Sequence, residues 1–438
     1  MYKLSKFVHF VGKKNTIRHS LNFRSIVIDQ KTADYLKMLI KDQSLCINMQ
    51  LIDKRTLTKL IQQKMIVNEK EDYHLIASII KESEISEIKS LFLIVTRKCN
   101  LKCTYCFYSS NNSLSLSKAK SMNEDMATKA INVFSRLTKT INPTITFYGG
   151  EPLLNLPVIS SSIRCARKLQ NEGKLGEQLK FIVNTNGTMV NAEFIELALK
   201  ENIEVQVSID GFKEVHNSCR TTKDGQGSFN KVIKNIKKMV NSGVDVVPMI
   251  TITESNMDDL PEFIEWLCVY AKIKTYCMNL LMSTTGSCKS DYPDKAAKAM
   301  WMANDISSRY GIYDDNFVSQ VKGFFGPKVC NSGCGATGRK ITVFPEGEVH
   351  TCQALEKAKI AFMGDLSTIK KDNETMQTWK ERSRFKNENC LKCPILGSCD
   401  NGCAAGSFHS HGSIMTNDPN HCKWIKSLFK MWISKIYI

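Results

Sequence analysis

Short apolar runs alternate with helical patterns through the middle of this chain of 438 residues. Runs rich in β-branched and aromatic residues, typical of buried strands, occur at 91–96, 144–148, 180–184, 204–209, 245–252 and 276–282. Between them, apolar residues recur at helical spacing near 124–138, 156–171, 192–200, 229–241 and 258–271. Six such β/α alternations predict an α/β fold with a parallel sheet, either an open partial barrel or a doubly wound sheet. In both architectures the functional site lies at the carboxyl ends of the strands.

The two ends of the chain follow other patterns. Residues 1–90 combine short apolar strands with helical segments at 31–40 and 54–64, which indicates a winged-helix-like module. Such a module can hold a peptide as an added strand, while nucleic-acid binding and packing against the next domain are alternatives. The segment 424–438 alternates Lys with large apolar residues, which favours a docked C-terminal helix over a helix at a membrane surface.

Three cysteines form a compact loop directly after the first strand of the predicted sheet. Cys99, Cys103 and Cys106 have the spacing C-x3-C-x2-C, which lets a short loop turn all three sulfurs toward one point. Such a set can bind three irons of a [4Fe–4S] cluster and leave the fourth iron open for another ligand. A zinc ion would normally take four protein ligands or a water, often with His among them, and no His lies near this loop. The pattern therefore favours an open-sided iron–sulfur site.

Loops with ligand-binding chemistry follow the next three strands. They contain Gly149, Gly150, Glu151 and Pro152, then Asn184 to Gly187, then Ser208 to Gly211. The two glycines would let the backbone approach a ligand closely, and Glu151 could accept a hydrogen bond from an ammonium group. Asn184 and Ser208 could hydrogen-bond sugar hydroxyls, and Arg220 could bind a carboxylate bidentately. A single loop of this composition would be explained by the residue preferences of ordinary turns. Several such loops at one edge of a sheet favour a ligand site.

A second cysteine system occupies the C-terminal part of the chain. Its eight members are Cys330, Cys334, Cys352, Cys390, Cys393, Cys399, Cys403 and Cys422. Glycine and proline are dense among them, so bound metal rather than a large apolar core is expected to hold this region together. The C-x2-C pair within the set would also suit a zinc ribbon. Eight thiols, however, make two complete sets of four.

Composition narrows the class of protein. Hydrophobic residues make up 42% of the chain and charged residues 24%, as in ordinary globular proteins. No apolar run is long enough to span a membrane, and no signal-peptide pattern follows the N-terminal Met. Seventeen cysteines without a secretion signal favour metal ligation in a reducing compartment, so a cytoplasmic location is expected. The formal charge of +17 calls for an acidic partner.

Taken together, the two cysteine systems resemble those of radical S-adenosylmethionine (SAM) enzymes with a SPASM domain, in particular the peptide-modifying maturases. The loop from Cys99 to Cys106, with Tyr105 before its last cysteine, matches the cluster loop of that superfamily. Gly149 to Pro152 matches its motif for the methionine amino group of SAM. The resemblance assigns the rest of SAM to Asn184, Ser208 and Arg220. It covers about residues 91–425.

The later thiols match the SPASM pattern, in which one cysteine precedes G-x4-C, followed by C-x2-C-x5-C-x3-C and a last cysteine. The resemblance therefore implies three [4Fe–4S] clusters, one that binds SAM and two auxiliary ones. The first auxiliary cluster would be bound by Cys330, Cys334, Cys352 and Cys403. The second would be bound by Cys390, Cys393, Cys399 and Cys422.

The resemblance also implies a domain order. Residues 1–90 would form a winged-helix-like domain that recognises a precursor peptide, and residues 91–285 a TIM-like partial (β/α)6 radical SAM core. Residues 286–329 would bridge to the next domain and line the substrate channel. Residues 330–438 would form an iron–sulfur SPASM domain that ends in a helix.

The expected activity is hydrogen abstraction from a ribosomally made precursor peptide by a 5′-deoxyadenosyl radical generated at the Cys99, Cys103 and Cys106 site. The preferred product is an intramolecular thioether between a Cys sulfur and a carbon, as in bacteriocin biosynthesis, and a carbon–carbon crosslink is the alternative. Formylglycine formation is disfavoured, because sulfatase-maturing enzymes place an Asp base after the G-x4-C cysteine, whereas Gln353 follows Cys352 here.

The expected partners are a precursor peptide with an acidic leader and an external one-electron donor of the flavodoxin or ferredoxin type, with no nucleic acid. Two alternatives come from other functional classes: a pure electron-transfer protein and an enzyme that modifies nucleic acid. The first would not need a three-cysteine cluster beside a SAM-like pocket. The second predicts binding that weakens steeply with salt for any sequence.

Overall fold

A computed structural model describes residues 2–12, 15–83, 87–110, 120–282, 289–326, 329, 332–370 and 373–436 of the chain. The strands in these ranges are β1 (Tyr2–Leu4), β2 (Val8–Phe10), β3 (Thr16–His19), β4 (Ser25–Val27), β5 (Ile66–Asn68), β6 (Ser90–Thr96), β7 (Leu101–Cys103), β8 (Thr144–Gly149), β9 (Lys180–Thr185), β10 (Glu204–Ser208), β11 (Arg220–Thr222), β12 (Asp245–Ile252), β13 (Thr275–Leu280), β14 (Tyr313–Asp314), β15 (Lys340–Val343), β16 (Glu348–His350) and β17 (Phe362–Asp365). The helices are α1 (Gln30–Lys41), α2 (Lys54–Gln62), α3 (Glu69–Ser83), α4 (Phe107–Ser110), α5 (Glu124–Leu137), α6 (Leu156–Asn171), α7 (Ala192–Glu201), α8 (Lys213–Cys219), α9 (Phe229–Asn241), α10 (Leu260–Ala271), α11 (Tyr292–Ser307), α12 (Asp315–Phe325), α13 (Glu374–Lys380), α14 (Glu388–Leu391), α15 (Ala404–His411) and α16 (Pro419–Ile436).

A mostly parallel sheet forms the centre of the described part of the chain. Its strand order is β14-β13-β12-β10-β9-β8-β6-β15-β16-β17. The strands β6, β8, β9, β10, β12 and β13 are parallel neighbours in chain order. Parallel neighbours require crossover connections, which the intervening helices supply. The predicted α/β fold with six β/α alternations is therefore confirmed.

The sheet and its helices bury the apolar positions that the sequence pattern contains. On β10, Val205 and Val207 are fully buried, as expected for alternate positions of a strand that faces packed helices. On α9, Val232, Ile236 and Met239 lie three or four positions apart and are also fully buried. This spacing puts them on one face of the helix, so the helix packs onto the sheet through that face.

The sheet continues into the C-terminal region. Strand β15 pairs in parallel with β6, with Ile341 opposite Leu91, and β16 and β17 follow as antiparallel strands. At the other edge β14 pairs in parallel with β13. The C-terminal cysteine region is thus hydrogen-bonded directly to the strand that precedes the first cysteine loop.

The first 83 residues build a separate small core. Strands β2, β3 and β4 form an antiparallel sheet, and β1 pairs with β5. Helices α1 and α2 lie where helical segments were predicted. Helix α3 was not predicted, because a run of four charged residues fills its first turn and its apolar residues begin only after that run. Ile79 of α3 packs with Phe7 and Leu21 against Leu396 of the C-terminal region, so tertiary contacts stabilise a helix that propensity leaves ambiguous.

Helix α16 docks on the body of the protein. Its apolar side chains Trp424, Leu428, Phe429 and Trp432 are at most 5% exposed, and the helix makes extensive contact with α11. The predicted docked C-terminal helix is therefore present within the described residues. None of the described helices is long and apolar enough to traverse a lipid bilayer.

Candidate functional site

A cavity of about 580 Å³ opens at the carboxyl edge of the parallel strands. The predicted site residues that line it are Cys99, Cys103, Tyr105, Cys106, Gly149, Gly150, Asn184, Ser208, Arg220, Cys334 and Cys403. Phe107, Tyr108 and Tyr148 form an aromatic part of its wall, in which Phe107 and Tyr148 are stacked and the Phe107 and Tyr108 ring centroids lie 4.4 Å apart. The structure thus brings the strand-end loops and part of the later cysteine system to one space with an aromatic wall.

The first cysteine loop is fixed by a two-stranded ribbon. Strand β7 pairs antiparallel with β11, which places Cys103 opposite Arg220. The Thr104 N–H donates to the Cys219 carbonyl oxygen at 2.9 Å. Burial raises the pKa of Cys99 to about 11 and the pKa of Cys103 to about 12. Such thiols stay protonated unless a positive charge binds them, which is what an iron cluster supplies.

The spacing of the thiols tests which metal the loops fit. In the described part of the chain, Cys399, Asp400 and His421 form the one group of three or more His, Cys, Asp or Glu residues whose ligand atoms all lie within 4.8 Å of one another. The three thiols of the first loop are therefore set wider than ligands of one tetrahedral zinc ion need to be. Their all-sulfur donor set and this wider spacing fit an iron–sulfur cluster.

The glycine pair at the end of β8 lets two loops approach closely. Gly149 has φ +140°, and a Cβ there would stand 2.2 Å from the Thr96 carbonyl oxygen. A Cβ on Gly150 would stand 2.3 Å from the Lys98 carbonyl oxygen. Any larger residue at either position would therefore push the end of β8 away from the segment that enters the cysteine loop.

The structure does not bring the Glu151 side chain to the cavity. It is fully buried and accepts hydrogen bonds from Thr185 Oγ1 at 2.7 Å, the Asn186 N–H at 2.7 Å and the Leu153 N–H at 3.0 Å. Burial raises the pKa of this carboxyl to about 7. Its carboxylate joins the loops after β8 and β9, so the geometry does not favour the predicted contact with an ammonium group.

Asn184 and Ser208 stand near the ends of adjacent parallel strands, β9 and β10, and both line the cavity. Sequence reasoning missed Asn186 in the same loop. Its Nδ2 donates to Asn100 Oδ1 at 2.9 Å and contacts Cys99 Sγ at 3.8 Å. Asn186 thus holds the first cysteine in place. The loop itself was singled out from the sequence, but no pattern indicated which of its two asparagines touches the thiol.

Arg220 lines the cavity and is already paired within the protein. Its Nε donates to Asp210 Oδ2 at 2.6 Å and its Nη2 to Asp210 Oδ1 at 3.3 Å. The Tyr105 hydroxyl donates to Asp210 as well, and the guanidinium lies 5.3 Å from the centre of the Tyr105 ring. Burial raises the pKa of Tyr105 well above its usual value. Asp210, which sequence reasoning did not single out, therefore orients both side chains.

The later cysteines gather into two sets. Cys334, Cys352 and Cys403 share one apolar cluster, and burial together with the two neighbouring thiols raises the pKa of Cys403 to about 12. Cys330, predicted with them, lies outside the described residues. Burial and the neighbouring thiols of Cys399, Cys390 and Cys393 raise the pKa of Cys422 to about 12. Each set is therefore close enough for mutual electrostatic interaction.

The cavity is also lined by polar side chains that no motif singled out. These are Asn279, Asn316, Gln320, Asp400, Asp418, His421 and Trp424. Helix α12 carries two of them at positions one helical turn apart, which only the tertiary packing brings to the cavity. No periodicity or spacing in the sequence distinguishes these side chains from ordinary surface or core residues.

A parallel (β/α)6 sheet with a three-thiol loop at the carboxyl end of its first strand defines a class of iron–sulfur enzyme. Comparison with known proteins agrees, since residues 93–267 match the model of the Radical SAM superfamily. A serine-type anaerobic sulfatase-maturating enzyme of Bacteroides thetaiotaomicron is 31% identical over 71% of this chain and 81% of its own length. The chain belongs to the radical SAM superfamily, which implies SAM and a [4Fe–4S] cluster as cofactors.

Two further relatives have lower sequence identity to this chain. The radical SAM cyclopropyl synthase TigE of Paramaledivibacter caminithermalis is 25% identical over 80% of this chain and 75% of its own length. The antilisterial bacteriocin subtilosin biosynthesis protein AlbA of Bacillus subtilis is 24% identical over 76% of this chain and 70% of its own. Streptococcus suis SuiB bound to the precursor peptide SuiA has the same fold, with a TM-score of 0.58, 16% identity, and coverage of 96% of this chain and all of that one.

Proposed function

We propose that the protein modifies a ribosomally made precursor peptide by radical hydrogen abstraction and installs intramolecular thioethers between Cys sulfur and carbon. The observation that carries this proposal is that two cysteine systems meet at one cavity. Cys99, Cys103 and Cys106 line it together with Cys334 and Cys403. A substrate in this cavity would lie beside both a radical-generating centre and a second redox centre.

Different residues around this cavity would bind SAM and exclude water. Bound SAM and its cluster would supply a 5′-deoxyadenosyl radical that takes a hydrogen atom from a substrate carbon. Arg220, oriented by Asp210, would hold the SAM carboxylate, and Asn184 and Ser208 would hold its ribose. The stacked wall of Phe107 and Tyr148 would keep water from the radical.

Two auxiliary clusters fit the later thiols. Cys330, Cys334, Cys352 and Cys403 would hold the first, and Cys390, Cys393, Cys399 and Cys422 the second. Each thioether requires loss of one carbon-bound hydrogen atom, one thiol proton and one electron from the peptide. A redox centre whose ligands line the cavity can accept that electron, which a purely hydrolytic or binding function would not need.

The N-terminal module supplies a surface for the leader of the peptide. Strand β4 pairs with β3, and no second strand partner for it occurs among the described residues. Val27 on this edge is 62% exposed. An extended peptide can add to such an edge by main-chain hydrogen bonds, and the net charge of +17 favours an acidic one. The neighbour SuiB, solved with its precursor peptide, covers this module as well.

Carbon–carbon bond formation is the second candidate, favoured by the similarity to the cyclopropyl synthase TigE. Formylglycine formation is third, although sulfatase maturases are among the relatives. Gln353, which follows Cys352, has no ionisable side chain, and it is not among the residues that line the cavity.

Co-expression with a short, Cys-rich peptide from a neighbouring gene, once one is identified, tests the proposal. Mass spectrometry should show a loss of two hydrogens per thioether, with one thiol per crosslink protected from alkylation. A loss of two hydrogens with all thiols still alkylated would favour the carbon–carbon product. The enzyme with Cys99, Cys103 and Cys106 all changed to Ala is the control and should leave the peptide unchanged. Absence of 5′-deoxyadenosine from the reduced enzyme with SAM would contradict the proposal altogether.

A further inference from the structure

One part of the cavity wall contains a connected row of polar side chains. Gln320 Nε2 donates to Asp400 Oδ2 at 3.2 Å, and His421 Nε2 lies 2.9 Å from Asp400 Oδ1. The His421 ring lies 5.3 Å from the Trp424 ring, centroid to centroid. All four residues line the cavity, so the row faces the space in which a substrate would lie.

Trp424 and Gln320 each contribute an atom with unused hydrogen-bonding capacity to this row. Trp424 is 2% exposed, and its Nε1–H has no acceptor in the described part of the structure. Gln320 is 7% exposed, and because its Nε2 must donate to the Asp400 carboxylate, the orientation of its amide is fixed. Its Oε1 then accepts from no described residue. Buried polar atoms are nearly always partnered, so the unpartnered indole N–H indicates a ligand, and Gln320 Oε1 offers that ligand an acceptor.

The central carboxylate of the row is engaged by the protein through both oxygens. Asp400 Oδ1 accepts from the Gly402 N–H at 3.0 Å and contacts His421, while Oδ2 accepts from Gln320. The charge of this carboxylate is therefore directed toward the His421 ring and the Gln320 amide within the row. The subsite consequently suits an uncharged group.

We propose that Trp424 and Gln320 bind one amide group of the peptide substrate, with the indole N–H donating to the amide oxygen and Gln320 Oε1 accepting the amide N–H. An amide offers one acceptor and one donor, which matches the two idle atoms. The amide comes from the main chain or from an Asn or Gln side chain. This inference rests on the proposed function, because it requires a peptide substrate, and it adds a binding role for residues outside the cysteine and SAM loops.

The test uses the reconstituted enzyme with the peptide identified by co-expression. Trp424→Phe removes the N–H and keeps a ring, and it should raise KM for the peptide about tenfold, as expected for one lost hydrogen bond. The affinity for SAM and the iron content should stay unchanged. Trp432→Phe is the matched control, since Trp432 lies two turns further along α16 and packs against Phe324 and Phe325 outside the cavity.

Gln320→Met is the second variant and should raise KM to a similar extent. If Trp424→Phe fails to retain its iron, Gln320→Met decides alone, because α12 carries no cysteine. An unchanged KM in Gln320→Met, or equal KM values for Trp424→Phe and Trp432→Phe, would overturn the subsite. An unmodified peptide with the parent enzyme would instead overturn the proposed function, and the subsite with it.

Substrate variants identify the source of the amide. A peptide in which one main-chain N–H is replaced by an ester oxygen should bind the parent enzyme less well but bind Gln320→Met no worse than the natural peptide does. If Asn-to-Asp or Gln-to-Glu changes in the peptide produce that pattern instead, the amide is a side chain. If neither change loses affinity selectively in the parent enzyme, no amide occupies the subsite and the proposal fails.

Discussion

The Lys340 ammonium donates a hydrogen bond to Gln353 Oε1 at 2.7 Å, immediately beside Cys352 of the first auxiliary set. The same ammonium lies 4.5 Å from the centre of the Phe92 ring. Burial raises the pKa of Cys352, and Lys340 is the largest effect that lowers it. The position at which the sulfatase-maturing pattern has an acidic residue therefore carries a neutral amide that holds a positive charge next to a thiol.

Removal of this charge should shift the redox behaviour of the first auxiliary site. Lys340→Met should lower its midpoint potential by on the order of 50–100 mV, because a nearby positive charge stabilises the reduced, more negative cluster. Potentiometric titration followed by electron paramagnetic resonance measures the shift, and Lys340→Arg should restore most of it. Equal potentials for the parent and Lys340→Met would show that the lysine has only a structural role.

The buried Asp210 carboxylate should be required for SAM binding because it orients Arg220 and Tyr105. Asp210→Asn removes the charge that Arg220 pairs with, and the affinity for SAM should fall by about tenfold or more. Tyr105→Phe removes one hydrogen bond but leaves the ion pair intact, so its effect should be smaller. Calorimetric titration with SAM compares the variants at equal iron content. A larger loss in Tyr105→Phe than in Asp210→Asn would contradict this account.

Asp314 should make stability depend on pH. It is fully buried, its Oδ1 accepts from the Met278, Asn316 and Phe317 N–H groups, and its Oδ2 has no partner in the described part of the chain. Burial raises the pKa of this carboxyl from 3.8 to about 7, so the folded protein binds the proton more tightly than the unfolded chain does. The free energy of unfolding should therefore be highest below about pH 4 as far as this group is concerned. It should fall as the pH rises to about 7.

Asp314→Asn is the matching variant, because it keeps Oδ1 and cannot ionise. The free energy of unfolding should lose part of its decline between pH 4 and pH 7 and should exceed that of the parent at pH 8 by about 1–3 kcal/mol. Urea unfolding at pH 5 and pH 8 measures the difference. Asp315→Asn, which changes the adjacent acidic residue at the start of α12, is the control and should leave the pH dependence in place.

The six strands and the first cysteine loop could be predicted from the sequence because their signals are local. β-Branched runs and C-x3-C-x2-C spacing need no knowledge of distant residues. The ion pair between Asp210 and Arg220 could not, since it forms only when the loop after β10 meets the start of β11. Glu151 was singled out by its motif, but its inward orientation depends on donors from two other loops.

Residues 286–329 were expected to line a channel, but the individual polar side chains of the cavity wall were missed for a related reason. Gln320 lies in a segment where no helix was predicted, and Trp424 lies in a helix whose pattern predicts only packing. Neither segment shows in its sequence which polar atom lacks a partner. Helix α3 was missed because charge obscures its apolar stripe. Local sequence patterns thus indicate the residues that would bind the cofactors. The residues that would bind the substrate depend on tertiary contacts between α12, α16 and the cysteine loops.

The exposed edge at β4 should bind the leader of the precursor peptide. Val27→Glu adds a negative charge to that edge, so an acidic leader should bind at least about tenfold more weakly through repulsion and through disturbed strand addition. Val269→Glu is the matched control, because Val269 is 58% exposed on α10 and belongs to the SAM-binding part of the chain. Fluorescence anisotropy of a labelled leader measures the affinity, and formation of 5′-deoxyadenosine without peptide should be the same in both variants. Equal leader affinities for the two variants would locate the leader elsewhere on the protein.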